Sequence, residues 1–186
     1  MTVRSTSPET WVALLRGINV GGKNVIRMAD LRSAFEAEGF RDVVTYIQSG
    51  NVIFRCSGST AGALTTRIEE MLATAFGYQA KVVLRSREQI EAVVAGAPAG
   101  FGSQPDRHRY DAIFLRDTLT GEKAMREVLV RPGVDEAWAG EGVLYFSRLI
   151  SQASRSYLSR LVPMPVYQEM TIRNWNTTTR LLRLMS

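Results

Sequence analysis

Val43-Val-Thr-Tyr-Ile-Gln-Ser-Gly-Asn-Val-Ile-Phe-Arg-Cys56 is the stretch on which the fold turns. Two short runs of β-branched and aromatic residues, Val43 to Gln48 and Val52 to Cys56, flank Ser49-Gly50-Asn51, which is hairpin-turn chemistry. Strands joined so closely must be antiparallel, because a parallel pair needs a crossover of about a dozen residues or more. Working outward, Trp11 to Arg16 reads as a strand. Met28 to Glu38 reads as a helix with Met28, Leu31, Ala34 and Phe35 on one face and Gly39 just past its end. On the other side, Ala61 to Phe76 is helical, with Leu64, Ile68, Met71, Leu72 and Ala75 at helical spacing and Gly77 as the stop. Ala80 to Leu84 is a strand and Glu88 to Ala95 a helix, so the order is β-α-β-β-α-β-α.

After the Gly/Pro-rich stretch Gly96 to Asp106 the order returns. Tyr110 to Leu115 is a strand, and Gly121 to Val130 a helix stopped by Pro132-Gly133. Val134 to Trp138 and Val143 to Phe146 flank the turn Ala139 to Gly142. Ser154 to Leu161 is a short helix, Glu169 to Ile172 a strand, and Asn174 to Leu184 a final helix. The expected fold class is α+β, a tandem duplication of a ferredoxin-like βαββαβ unit with an extra helix after each copy. The expected boundaries are 1–97 for the first repeat, 98–109 for a linker and 110–186 for the second repeat. Both parities of the strands are apolar, as in Val12 and Leu14 against Ala13 and Leu15. That predicts sheets covered on both faces and argues against an RNA-recognition sheet, which needs an open aromatic face.

Composition agrees with a packed protein. The chain has 186 residues, 45% hydrophobic and 22% charged, enough to bury a core without disulfide or metal staples. No apolar run approaches the roughly 20 residues of a membrane span, and Met1 to Thr10 lacks the apolar core of a secretory signal. The single cysteine, Cys56, makes a reducing cytoplasm the expected location. One cysteine and one histidine, His108, cannot form a Cys/His zinc site, so no metal or cofactor is expected. His108 itself reads as a residue of the polar loop Gly102 to Arg109. The net charge is +5, and the excess lies in residues 142–186, which hold six arginines against the single acid Glu169. Arginine suits phosphate and carboxylate, although a basic balance by itself implies only non-specific attraction.

Three polar segments could carry chemistry. Arg16-Gly-Ile-Asn-Val-Gly-Gly-Lys-Asn24 contains G-x-x-x-x-G-K after a strand, close to a phosphate-binding P-loop. Against a nucleotide hydrolase stand Asn24 in place of Ser or Thr, a helix that starts only near Met28, and the hairpin that follows. A milder role survives, in which backbone N–H groups approach an anion while Arg16 and Lys23 supply charge. The second segment is Gln48-Ser-Gly-Asn51. Split βαβ topology brings the end of the first strand and the hairpin turn to one sheet edge, so Arg16, Asn19 and Lys23 should lie near Gln48, Ser49 and Asn51. The same amides could equally serve loop backbone. The third segment is Arg173-Asn-Trp-Asn-Thr-Thr-Thr-Arg180, where Asn174 or Asn176 can cap the last helix and Arg173 and Asn176 could face an anion. It lies at the opposite sheet edge of its own repeat, so it meets the other two only if the repeats pack head-to-tail.

Leu15-Arg-Gly-Ile-Asn-Val-Gly-Gly-Lys-Asn24, Tyr46-Ile-Gln-Ser-Gly-Asn-Val-Ile-Phe54 and Arg173-Asn-Trp-Asn-Thr177 together resemble the bacterial family called domain of unknown function 1697. The resemblance spans nearly the whole chain. It implies a duplicated ferredoxin-like protein and carries no activity, cofactor or catalytic residue. The leading expectation is a protein binding a small anionic or phosphorylated ligand through Arg16, Asn19, Lys23, Gln48, Ser49, Asn51, Arg173 and Asn176. A nucleic-acid binder using the basic C-terminal region is an alternative, and so is an enzyme using the same cluster. For the enzyme no paired carboxylates or activated nucleophile are visible, so no mechanism can be written and the catalytic residues stay open, as does the oligomeric state.

Overall fold

The computed structural model of the chain describes residues 8–19, 25–48 and 50–186. These form an α+β protein with two four-stranded antiparallel sheets. Met1–Ile90 with Leu181–Ser186 make one compact unit, and Glu91–Arg180 make the other.

The first unit runs β1 (Glu9–Leu15), α1 (Met28–Ala37), β2 (Arg41–Tyr46), β3 (Asn51–Cys56), α2 (Ala61–Phe76) and β4 (Val82–Ser86). Its sheet order is β2-β3-β1-β4. Trp11 to Leu15 are buried without interruption, because β1 has a strand on each side and both its faces are covered. One face packs on α1 and α2 around Phe35, Phe40 and Phe54, whose ring centroids lie 4.5 to 5.6 Å apart. Thr60 starts α2 by accepting a hydrogen bond from the Ala63 N–H at 3.3 Å. Gly77 ends it at φ 61°, donating its N–H to the Ala73 carbonyl at 3.0 Å. The next helix, α3 (Arg87–Ala95), opens on a reciprocal box: Ser86 N–H donates to Gln89 Oε1 at 2.9 Å and Gln89 N–H to Ser86 Oγ at 3.3 Å.

The second unit holds β5 (His108–Leu115), α4 (Gly121–Glu127), β6 (Asp135–Gly140), β7 (Val143–Leu149) and β8 (Met170–Asn174), and the chain continues into α6 (Trp175–Leu184). Between β7 and β8 lie two 3-10 stretches, Ile150–Arg155 and Pro165–Glu169, and the single-turn α5 (Leu158–Leu161). The sheet order, β6-β7-β5-β8, matches that of the first unit strand for strand. Ile113, Leu115, Leu144, Phe146 and Met170 form the core on one face. On the other, Tyr110, Trp138 and Tyr145 are covered by Phe101, 4.8 to 6.0 Å away edge-on, and Tyr145 donates its hydroxyl to the Val93 carbonyl at 2.7 Å. Tyr145 is buried there, while Phe101, Tyr110 and Trp138 are half-buried.

Some boundaries move from those the sequence predicts. α4 stops at Glu127 because Val128 turns extended, φ −80° and ψ 111°. β5 begins at His108, which pairs with Leu149, so His108 is a strand residue and not part of a polar loop. β2 ends at Tyr46, and the turn starts at Ile47. Among the described residues no helix is long and apolar enough to cross a membrane, and no group of three His, Cys, Asp or Glu could hold a metal ion.

Candidate functional site

In the first unit, β1 ends beside the β2–β3 turn because Leu14 and Tyr46 both pair with Asn51. The Leu15 N–H donates to the Gly50 carbonyl at 2.8 Å and fastens the strand end to the turn. Asn19 then joins three backbone segments. Its Nδ2 donates to the Gln48 carbonyl at 2.9 Å and to the Ile26 carbonyl at 3.0 Å, and its Oδ1 accepts from the Ile26 N–H at 2.8 Å. Left-handed backbone concentrates here: Gly17 at φ 72°, Asn19 at 52°, Ile47 at 49° and Gly50 at 79°. A β-branched residue such as Ile47 in that region is strained, and such strain persists only where surrounding contacts enforce it. Arg16 is half-buried. It lies near Tyr78, whose hydroxyl is raised by burial and pulled back by the Arg16 charge. The Tyr78 hydroxyl sits 3.3 Å from where a Cβ on Gly17 would stand.

The predicted site residues therefore divide. Asn19 reaches the exposed Gln48 as the topology requires, and Arg16 follows Leu15, whose N–H is bonded to the Gly50 carbonyl. Asn51 is fully buried and donates Nδ2 to the Tyr46 carbonyl at 2.9 Å, so its amide shapes the turn from within. Lys23 and Ser49 lie outside the described residues. Arg173 and Asn176 belong to the second unit. Arg173 is buried, with Nη1 donating to Thr171 Oγ1 at 2.8 Å and to the Ile172 carbonyl at 2.9 Å. Burial brings its guanidinium down to about 10. Asn176 is exposed at the start of α6, its N–H donating to Asn174 Oδ1 at 2.9 Å, which makes Asn174 the cap.

That helix start opens on a cleft of about 230 Å³ in the second unit, walled by Gly102, His108, Arg109, Tyr110, Trp175 and Asn176 among others. Gly102, at φ 83°, lies against the indole; a Cβ there would come within 2.7 Å of Trp175 Cδ1 and Nε1. Only glycine lets this loop approach the ring so closely.

Residues 9–145 match the family described as protein of unknown function, DUF1697. The chain belongs to the DUF1697 family. A conserved bacterial protein from Streptococcus pneumoniae, SP0830, has a solved structure similar to this DUF1697 protein, with a TM-score of 0.83 at 27% identity. The match covers 97% of this chain and 100% of that one. A search of curated proteins finds no match.

The family match spans the Leu15–Asn24 and Tyr46–Phe54 strings and stops before Arg173. Sequence reasoning missed Gly102, Arg109, Tyr110 and Trp175 as neighbours in this DUF1697 protein. Trp175 was the one local signal, an aromatic in the Asn-flanked segment that helix capping leaves unexplained.

Proposed function

We propose that this protein binds a small anionic ligand, phosphorylated in the simplest case, at the rim between residues 16–24 and 47–51. The supporting observation is the Asn19 amide, which holds the segment with left-handed Gly17 and Asn19 to the strained Ile47–Gln48 turn. Backbone N–H groups in such conformations form anion-binding concavities, and Arg16 and Lys23 would add positive charge. In this reading the halves are two copies of a ferredoxin-like unit, 1–97 and 110–186, joined by 98–109 and each followed by an extra helix. The shared sheet order supports it. The free Cys56 fits a cytoplasmic protein.

Thermal unfolding with phosphate, sulfate and adenosine monophosphate tests the binding. A ligand at about 100 times its Kd stabilises by about 2.7 kcal/mol, a Tm rise of about 5–10 °C for a chain of this size. Arg16→Ala should abolish most of the rise. No shift with any of the three at saturating concentration would remove the proposal.

A further inference from the structure

We infer that the second-unit cleft is a separate binding site for a small planar aromatic carboxylate. Its walls fit such a ligand on three counts. First, rings face it: Trp175, Tyr110 and His108 all border the cleft, and His108 leans on Tyr110 at 5.9 Å between centroids. The Trp175 ring is fixed in turn by Phe101, edge-on at 5.0 Å, and by the glycine contact at Gly102. A ring held on several sides offers a stacking surface with little ordering left to do.

Second, the charge is one-sided. Arg109 lines the cleft and no acidic residue does. Across the strands Arg109 stands opposite Arg148, which is paired with the buried Asp111 at 3.2 Å (Nη2 to Oδ2), so the charge that the cleft itself presents is Arg109. Asn174 and Asn176 add amides at the start of a 10-residue helix, whose N-terminal end also favours negative charge.

Third, the size suits one ring. A closed cavity of about 150 Å³ is enough to admit benzene. The cleft here, about 230 Å³ and open to solvent, has room for one ring with a carboxylate. The inference stands apart from the rim proposed above, which lies in the other unit.

The test is a titration of the full chain followed by two-dimensional NMR, read at the Trp175 indole N–H and assigned through Trp175→Phe. Benzoate is the probe, with benzamide as the uncharged ring and cyclohexanecarboxylate as the charged non-aromatic one. Benzoate should saturate the Trp175 signal in the millimolar range or below, and both controls should bind more weakly. Arg109 is exposed, so Arg109→Gln should fold normally and weaken benzoate about tenfold, the loss of one charge-assisted contact, while leaving benzamide unchanged. Asn176 is exposed, and Asn176→Ala should likewise weaken benzoate. Arg16→Ala should leave benzoate binding intact. The inference fails if benzoate does not saturate, if benzamide or cyclohexanecarboxylate binds equally well, or if Arg109→Gln leaves benzoate affinity unchanged.

Discussion

Gly50→Ala should lower the stability of the first unit by about 3 kcal/mol and dismantle the rim with it. Two separate effects act at this position. Gly50 sits at φ 79°, where an L-residue bears about 1–2 kcal/mol of strain. The new methyl would also stand 2.6 Å from Ile18 Cδ1, 2.8 Å from Ile18 Cγ1 and 2.9 Å from Leu15 Cβ. Leu15 and Ile18 are both buried, so neither can swing into solvent, and overpacking of this kind costs about 1–3 kcal/mol. Gly58 provides the control. It has a similar φ of 73° but nothing within 4 Å of its Cβ position. Urea unfolding should give Gly58→Ala the backbone loss alone, about 1 kcal/mol, and Gly50→Ala clearly more. Equal losses in the two variants would mean that the turn is not seated on Ile18 and Leu15 as described.

The same turn shows how far the sequence is readable. Two β-branched runs around Ser-Gly-Asn announce a hairpin, and the antiparallel β2–β3 pair is there. Its position is another matter. Propensity keeps Ile47 in the strand, since a β-branched side chain resists left-handed backbone. The structure puts Ile47 in the turn because the buried Asn51 holds the Tyr46 carbonyl and Gly50 packs against Ile18. Both contacts depend on tertiary placement that no local pattern carries. The link from Asn19 to Gln48, by contrast, was foreseeable, because strand order alone sends the end of β1 to the hairpin edge.

The second-unit cleft is illegible for the same physical reason. Gly102 and Trp175 are distant in sequence, and their contact follows from the docking of the Gly/Pro-rich loop on the sheet. His108 looked like loop because its neighbours are polar. Its strand partner, Leu149, is supplied by β7, and its backbone N–H is held by Gln104 at 2.9 Å. Polarity there marks the rim of a cleft, where a strand emerges from its core.

Asp135→Ala should destabilise the second unit by about 3 kcal/mol, although the residue neighbours no proposed ligand. Asp135 is buried at the start of β6. Its Oδ2 accepts the Arg131 N–H at 3.0 Å and the Tyr157 N–H at 2.8 Å. The first closes the Pro132-Gly133 turn, and the second ties that turn to the segment entering α5. One carboxylate oxygen thus serves two backbone donors from two chain segments. Alanine orphans both donors, and each buried donor left without a partner costs about 1–3 kcal/mol; partial exposure of the two pairs keeps the sum toward the lower end. Asparagine keeps an acceptor oxygen and the shape while removing the charge, so Asp135→Asn should lose only about 1 kcal/mol. Native-state hydrogen exchange separates the two accounts. If the carboxylate is the tie, the Arg131 and Tyr157 amides lose protection in the alanine variant and largely keep it in the asparagine variant. Protection that survives in Asp135→Ala would assign the order of this segment to Leu158 and Leu161, which are buried in the core below it.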